Sequence, residues 1–119
     1  MPKKILISDD AMFMRSILRG ILIENQFAVY EACNGQEAVE QYEIIRPNLV
    51  FMDITMPVMD GIAATKVIKD MDPGAVIVMC SAVGQQDMVI EAVHAGAKGF
   101  IVKPFQEKHV LECIKRLAA

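Results

Sequence analysis

Five short, continuously apolar runs, each followed by a longer segment of helical periodicity, constrain this chain more than any other feature. The runs are Ile5-Leu6-Ile7, Ala28-Val29-Tyr30, Leu49-Val50-Phe51-Met52, Ala75-Val76-Ile77-Val78-Met79 and Phe100-Ile101-Val102. Mostly rich in β-branched or aromatic residues and not alternating with polar ones, they read as strands covered on both faces. Between them, Met14, Ile17, Leu18, Ile21 and Leu22 follow the i, i+3, i+4, i+7, i+8 stripe of an amphipathic helix. Ala38, Val39, Tyr42 and Ile45 repeat the stripe more weakly. Ile62, Val67, Ile68 and Met71 follow Asp60, which stands where an N-cap belongs. Val110, Cys113, Ile114 and Leu117 form the last stripe and turn Cys113 inward. Asn34-Gly35, Arg46-Pro47-Asn48, Asp72-Pro73-Gly74 and Ala95-Gly96-Ala97 punctuate the pattern with turns. Strands alternating with helices imply an α/β fold with parallel strands, right-handed crossovers and helices on both faces of the sheet.

At 119 residues the chain is expected to be a single domain over 1–119, with no linker and no output domain. Its 54% hydrophobic content excludes disorder, because there is ample apolar surface to bury. No uncharged run approaches the roughly 18 residues that a membrane helix needs. Lys3 and Lys4 precede only a three-residue apolar stretch before Asp9-Asp10, which is too short for a signal peptide. A cytosolic protein is therefore expected. A net charge of −3, with 12 scattered Lys and Arg, argues against nucleic acid and membrane surfaces as partners. Cys33, Cys80 and Cys113 are odd in number and lack a CxxC, so no disulfide framework or zinc site is indicated; they are expected reduced and mostly buried. His94 and His109 stand alone and read as surface residues. Met14, Met52, Met71 and Met79 fall on core faces as fillers, with Met56 and Met59 packing a loop. Asp70 and Asp72 read as solvated residues at a helix end.

Ligands of open parallel sheets bind outside the carboxyl ends of the strands. Here the first strand runs into Ser8-Asp9-Asp10, the third into Asp53, the fourth into Cys80-Ser81 and the fifth into Lys103-Pro104. Glu31, at the end of the second, reads as peripheral. One acidic residue at a strand end needs only solvation as its reason. Three converging carboxylates need more, since two of them 4 Å apart repel by roughly 4 kcal/mol at an effective dielectric of 20. All-oxygen ligands suit a hard ion such as Mg2+. A carboxylate beside Mg2+ can attack phosphorus to give an acyl phosphate, with an ammonium and a hydroxyl holding the phosphoryl oxygens.

Taken together and in order, Asp9-Asp10, Asp53 with Met56-Pro57 and Asp60-Gly61, Ser81-Ala82, and Lys103-Pro104-Phe105 are highly specific. This set resembles the receiver domains of bacterial response regulators over nearly the whole chain. The single-domain chemotaxis members are most similar, through Met52-Asp53-Ile54-Thr55-Met56-Pro57 and Cys80-Ser81-Ala82-Val83-Gly84-Gln85-Gln86. The resemblance implies a flavodoxin-like (βα)5 three-layer sandwich with strand order 2-1-3-4-5; that order comes with the family and not from periodicity. It implies a non-enzyme in which Asp53 accepts the phosphoryl group from a histidine kinase or a small acyl phosphate. Asp10, Asp53 and the backbone carbonyl of Thr55 would bind Mg2+, and Asp9 would act through water. Lys103 would contact the phosphoryl group, Ser81 would move to it, and Phe100 would turn inward in response. The Lys103-Pro104 bond is expected to be cis. Ser8 departs from the usual apolar residue, and its hydroxyl is expected to bond nearby backbone.

Met88, Val89, Ile90, Ala92 and Val93 wrap more than one helical face, so one side of the fourth helix cannot bury them all. Ile90 and Val93 read as the core side. Gly84, Met88, Val89 and Phe100 then form the expected partner face, since the resemblance puts the phosphorylation-dependent surface on helix 4, strand 5 and helix 5. The expected partners are a chemotaxis histidine kinase, the flagellar motor switch protein and a phosphatase, acting on a monomer. A stand-alone receiver in another phosphorelay is the alternative. A haloacid-dehalogenase-type phosphatase would need a second Asp where Thr55 stands. A flavodoxin-like FMN carrier would need a Ser/Thr/Gly-rich phosphate loop where the chain has Asp9-Asp10-Ala11.

Overall fold

The computed structural model describes residues 2–118; the ends of the expected domain, Met1 and Ala119, lie outside the described residues. Ten elements alternate: β1 (Lys4–Ser8), α1 (Met12–Glu24), β2 (Ala28–Ala32), α2 (Gly35–Ile45), β3 (Leu49–Asp53), α3 (Gly61–Met71), β4 (Ile77–Ser81), α4 (Gln86–His94), β5 (Gly99–Val102) and α5 (Glu107–Leu117). All five strands are parallel, in the order β2-β1-β3-β4-β5. The sheet grows one way from β1 to β2 and the other way from β1 to β5. Right-handed crossovers therefore put α1 on one face and α2 to α4 on the other. No described helix is long and apolar enough to cross a membrane.

Why the strands read as unbroken apolar runs is visible in the two cores. Ile5, Ile7, Leu49, Phe51, Val78, Cys80 and Ile101 point to one face, against Leu18 and Leu22 of α1 and Val110, Cys113 and Ile114 of α5. Leu6, Val50, Met52, Ile77 and Met79 point to the other, against Ala38 and Tyr42 of α2, Ile62, Ala64 and Ile68 of α3 and Ala92 of α4. Successive strand residues alternate faces, and here both faces are dry. Met52 and Met79 are fully buried, Met71 and Met59 pack against the same core, and Met56 belongs to it. Asn34 and Asp60 cap α2 and α3, their carboxamide and carboxylate oxygens accepting from Glu37 N and Ala63 N. Asp60→Ala should cost about 1 kcal/mol, read as a lowered urea midpoint at unchanged slope.

Several expectations need correction. The fourth strand is Ile77–Ser81, offset from the apolar run Ala75–Met79, because it continues into Cys80 and Ser81 to pair with Ile101 and Val102. On α4 the expected core side is wrong: Ile90 is 59% exposed and Val93 49%, whereas Ala92 is fully buried; Met88 is exposed and Val89 partly buried, as expected. Small Ala92, with Ala95 and Ala97 after it, lets the helix end lie close to the sheet. The bulkier Ile90 and Val93 are left outside. Val89 packs against the core and lines the space between α4 and β5 beside Phe100. Val67, expected on the α3 stripe, is also exposed. Asp72 is more than solvated. It accepts from the Tyr42 hydroxyl at 2.7 Å and Gly74 N at 3.0 Å and pairs with Arg46 at 3.5 Å. The Tyr42 bond holds its carboxyl below the usual range, while burial and that same bond push the phenol up. Cys33 is exposed, unlike Cys80 and Cys113.

Candidate functional site

The carboxyl ends of β1, β3, β4 and β5 bring five of the predicted side chains to one edge. Lys103 follows β5 directly, and the Lys103-Pro104 bond is cis as expected. Its Nζ donates to Asp9 Oδ2 at 2.8 Å and to Asp53 Oδ1 at 3.1 Å. The backbone at Lys103 is fixed to β4 as well, its N–H donating to the Ser81 carbonyl at 2.8 Å. One oxygen from each of Asp9, Asp10 and Asp53 lies within 4.8 Å of the others. Asp9 and Asp53 are buried, and Asp10 opens to solvent. Ser81 is buried at the end of β4.

Asp9 is held from several directions. Its N–H donates to the Ala32 carbonyl at 3.1 Å, and Oδ1 accepts from Ala11 N at 2.9 Å. The Arg15 guanidinium, at 2.6 Å from the Asp9 carbonyl, is itself paired with Glu31 at 3.2 Å. Arg19 reaches the other oxygen of Glu31 at 3.2 Å. Glu31 therefore anchors the arginine that fixes the Asp9 backbone, a role that its place at the end of an outer strand did not announce. The signal available was the i, i+4 spacing of Arg15 and Arg19 on one face of α1.

The loop from Ile54 to Asp60 frames the other side. Gly61 N–H donates to the Ile54 carbonyl at 2.8 Å and Gly35 N–H to the Met59 carbonyl at 2.9 Å. A Cβ at either glycine would fall far inside the 3.0 Å that real contacts keep, against the Asp53 carbonyl oxygen for Gly61 and the Met59 carbonyl oxygen for Gly35. Val58, at φ 68°, holds a left-handed conformation that suits a β-branched residue poorly. The Ser8 hydroxyl bonds the Asn34 carbonyl and the Met56 sulfur, both at 3.3 Å, so its departure from an apolar residue serves this loop. Thr55 is exposed, and its Oγ1 accepts from Gln85 Nε2 at 3.2 Å, a link that the strand-end reasoning missed.

Three carboxylates face one ammonium. Burial, then the charge of Asp9, pushes the Asp53 carboxyl up to about 6, although Lys103 pulls it down. Burial draws the Lys103 ammonium down, but the Asp9 and Asp53 carboxylates outweigh it and hold the group above its ordinary value. Clustered, partly buried oxygens with an excess of negative charge are the donor set of a hard divalent cation, and the site can hold one. Phe100 is 51% exposed. It borders a cavity of about 380 Å3 between α4 and β5, lined also by Ser81, Ile90 and Val102.

Comparison with known proteins points the same way. The model of the response regulator receiver domain matches residues 5–115. Chemotaxis protein CheY of Bacillus subtilis (strain 168) is 59% identical over 117 residues, 98% of this chain and 98% of its own. Chemotaxis protein CheY of Thermotoga maritima is 54% identical over 119 residues, 99% of each chain. Among solved structures, the CheX-CheY-BeF3-Mg+2 complex from Borrelia burgdorferi matches with a TM-score of 0.93 at 35% identity, over 100% of this chain and 91% of that one. A matched domain model that spans nearly the whole chain, with full-length relatives more than half identical, shows that the chain belongs to the response regulator receiver domain family.

Proposed function

We propose that this receiver is switched by phosphorylation of Asp53 and that the switch controls binding to the flagellar motor. The observation that carries this reading is the placement of Lys103 Nζ within hydrogen-bond reach of both Asp9 and Asp53. An ammonium so held is positioned to contact a phosphoryl group on Asp53. The ionised Asp53 oxygen attacks phosphorus, forming a P–O bond. The bond to the donor breaks, and its electron pair leaves with the imidazole of a phosphohistidine or the carboxylate of a small acyl phosphate. Asp10, Asp53 and the Thr55 carbonyl would hold Mg2+, with Asp9 acting through water. When bound, the ion offsets the charge that builds up on the phosphoryl oxygens. Lys103 contacts one phosphoryl oxygen and the Ser81 hydroxyl moves to donate to another. Phe100 then turns inward, into the cavity that Ser81 also lines. The BeF3 and Mg2+ in the Borrelia structure's description support the same site chemistry.

The changed face would consist of Gly84, Met88, Val89 and Phe100, with the exposed Ile90 and Val102 beside them. The family's place in two-component signalling implies a histidine kinase upstream. The CheY names of the relatives favour a chemotaxis kinase and the motor switch protein downstream, with a phosphatase to reset the domain. The deciding experiment titrates the protein with an N-terminal peptide of the flagellar switch protein, with and without Mg2+ and beryllofluoride. Tightening on activation, lost in Asp53→Asn, is the expected result. Beryllofluoride binding with no peptide binding would leave the receiver and remove chemotaxis. Mg2+ alone should raise the melting temperature by offsetting carboxylate repulsion, and Asp10→Ala should erase that rise. An equal rise in the variant would place the ion elsewhere.

A further inference from the structure

Gln85 joins the loop after β4 to the loop after β3. Its Oε1 accepts from Ala82 N–H at 2.7 Å, and its Nε2 donates to Thr55 Oγ1 at 3.2 Å. Ala82 is bonded to Ser81, and Thr55 lies two residues beyond Asp53. The Gln85 N–H also donates to the Ala82 carbonyl at 3.3 Å, so one residue grips both sides of Ala82. The segment it closes contains Gly84, at φ 94°, with open space where a Cβ would stand. Ala82, Val83 and Gly84 are all exposed. The Gln85 hydrogen bonds therefore tie down an exposed loop, each in competition with water.

From this geometry, and resting on the phosphorylation of Asp53 proposed above, we propose that Gln85 is a positioning residue that latches the Ser81 loop to the Asp53 loop in the resting domain. A phosphoryl group carries about −1.5 to −2 charge and three strong acceptor oxygens. Drawing the Ser81 hydroxyl toward it displaces Ala82, the next residue in the chain. Ala82 N–H then leaves Gln85, and the bond to Thr55 is released with it. The latch opposes activation, and its removal favours the activated arrangement.

Gln85→Met keeps the side-chain length and cannot make either amide bond. In the presence of Mg2+ it should bind beryllofluoride about fivefold more tightly than the wild type by calorimetric titration, the factor expected when a hydrogen bond of ordinary net strength stops opposing the change. The Ala82 amide of the resting variant should also exchange its hydrogen faster, which a purely structural cap of α4 does not predict for that amide alone. Gln85→Ala should reproduce both results and separates bond loss from the shape of the methionine. If the wild type binds beryllofluoride and both variants bind it equally or more weakly, the latch is overturned while the receiver reading stands. If the wild type does not respond to beryllofluoride at all, the phosphorylation reading falls and the latch with it.

Discussion

Asp53→Asn is expected to abolish phosphorylation by a small acyl phosphate and, in the same protein, to raise thermal stability. The loss follows from chemistry: the carboxamide oxygen is a poor nucleophile and cannot give a stable acyl phosphate. Mass spectrometry after incubation with acetyl phosphate and Mg2+ reads it as absence of the phosphorylated species; labelling at the wild-type rate would remove Asp53 as acceptor. The gain follows from electrostatics. In the fold the Asp53 carboxyl is raised from 3.8 to about 6, first by burial and then by the charge of Asp9. A raised acid stabilises the fold fully below its unfolded value and loses that contribution as pH rises through its folded value. At neutral pH without a divalent cation the wild type therefore carries a penalty that the asparagine variant lacks. The open side of the site screens the charge, and the Lys103 bond to the carboxylate is lost, so the net gain should be about 1 kcal/mol. That corresponds to roughly 4 °C in melting temperature. The gap should open between pH 3.8 and about 6, stay constant above, and narrow when Mg2+ is added. A gap of the same size at pH 4 and pH 8 would refute this account.

Gly61→Ala should damage the domain more than any other single-methyl change near the site. Gly61 opens α3, and its missing Cβ is what lets the helix start against the carbonyl of Asp53. The obstructing atoms are backbone atoms of a fully buried strand, so no side-chain rotation relieves the overlap. The start of α3 must retreat, carrying the Asp60 cap and the Ile54 contact with it. A destabilisation of about 3 kcal/mol is expected, at the upper end for inserted methyl groups. Gly20→Ala is the natural control. That glycine lies within α1 with nothing within 4 Å of a built Cβ, and alanine there should stabilise by up to about 1 kcal/mol. Chemical denaturation of both variants checks the pair, and a Gly61→Ala protein as stable as the wild type would show that the loop has slack the structure does not display.

The carboxyl-edge residues were legible because a parallel sheet forces the polar residue after each apolar run to the same side. Asp9, Asp53, Ser81 and Lys103 meet for that reason, without any local sequence relation between them. The strand order was not legible in periodicity, since any right-handed arrangement of five parallel strands reads alike along the chain; it came with the family likeness. Helix 4 misled because burial there is decided by how closely a backbone can approach the sheet. Ala92 wins that place over Ile90 and Val93, although both are more hydrophobic. The end of β4 was blurred because hydrophobicity gives out at Cys80-Ser81 while pairing to Ile101 and Val102 continues. Glu31, Asp72 and Gln85 share another reason. Each acts through partners remote in sequence, Tyr42 being 30 residues from Asp72 and Thr55 30 residues from Gln85, so no short pattern marks them.

The ammonium that balances the acidic site comes from the far end of the chain, 94 residues from Asp9 and 50 from Asp53. It arrives on β5, an edge strand paired only with β4. A chain whose first four strands have assembled without β5 would therefore hold its carboxylates together with no neighbouring ammonium to offset them. Charge balance at the site is thus completed only when the last strand docks, and under the phosphorylation proposed above a chain lacking β5 would also lack the ammonium that contacts the phosphoryl group.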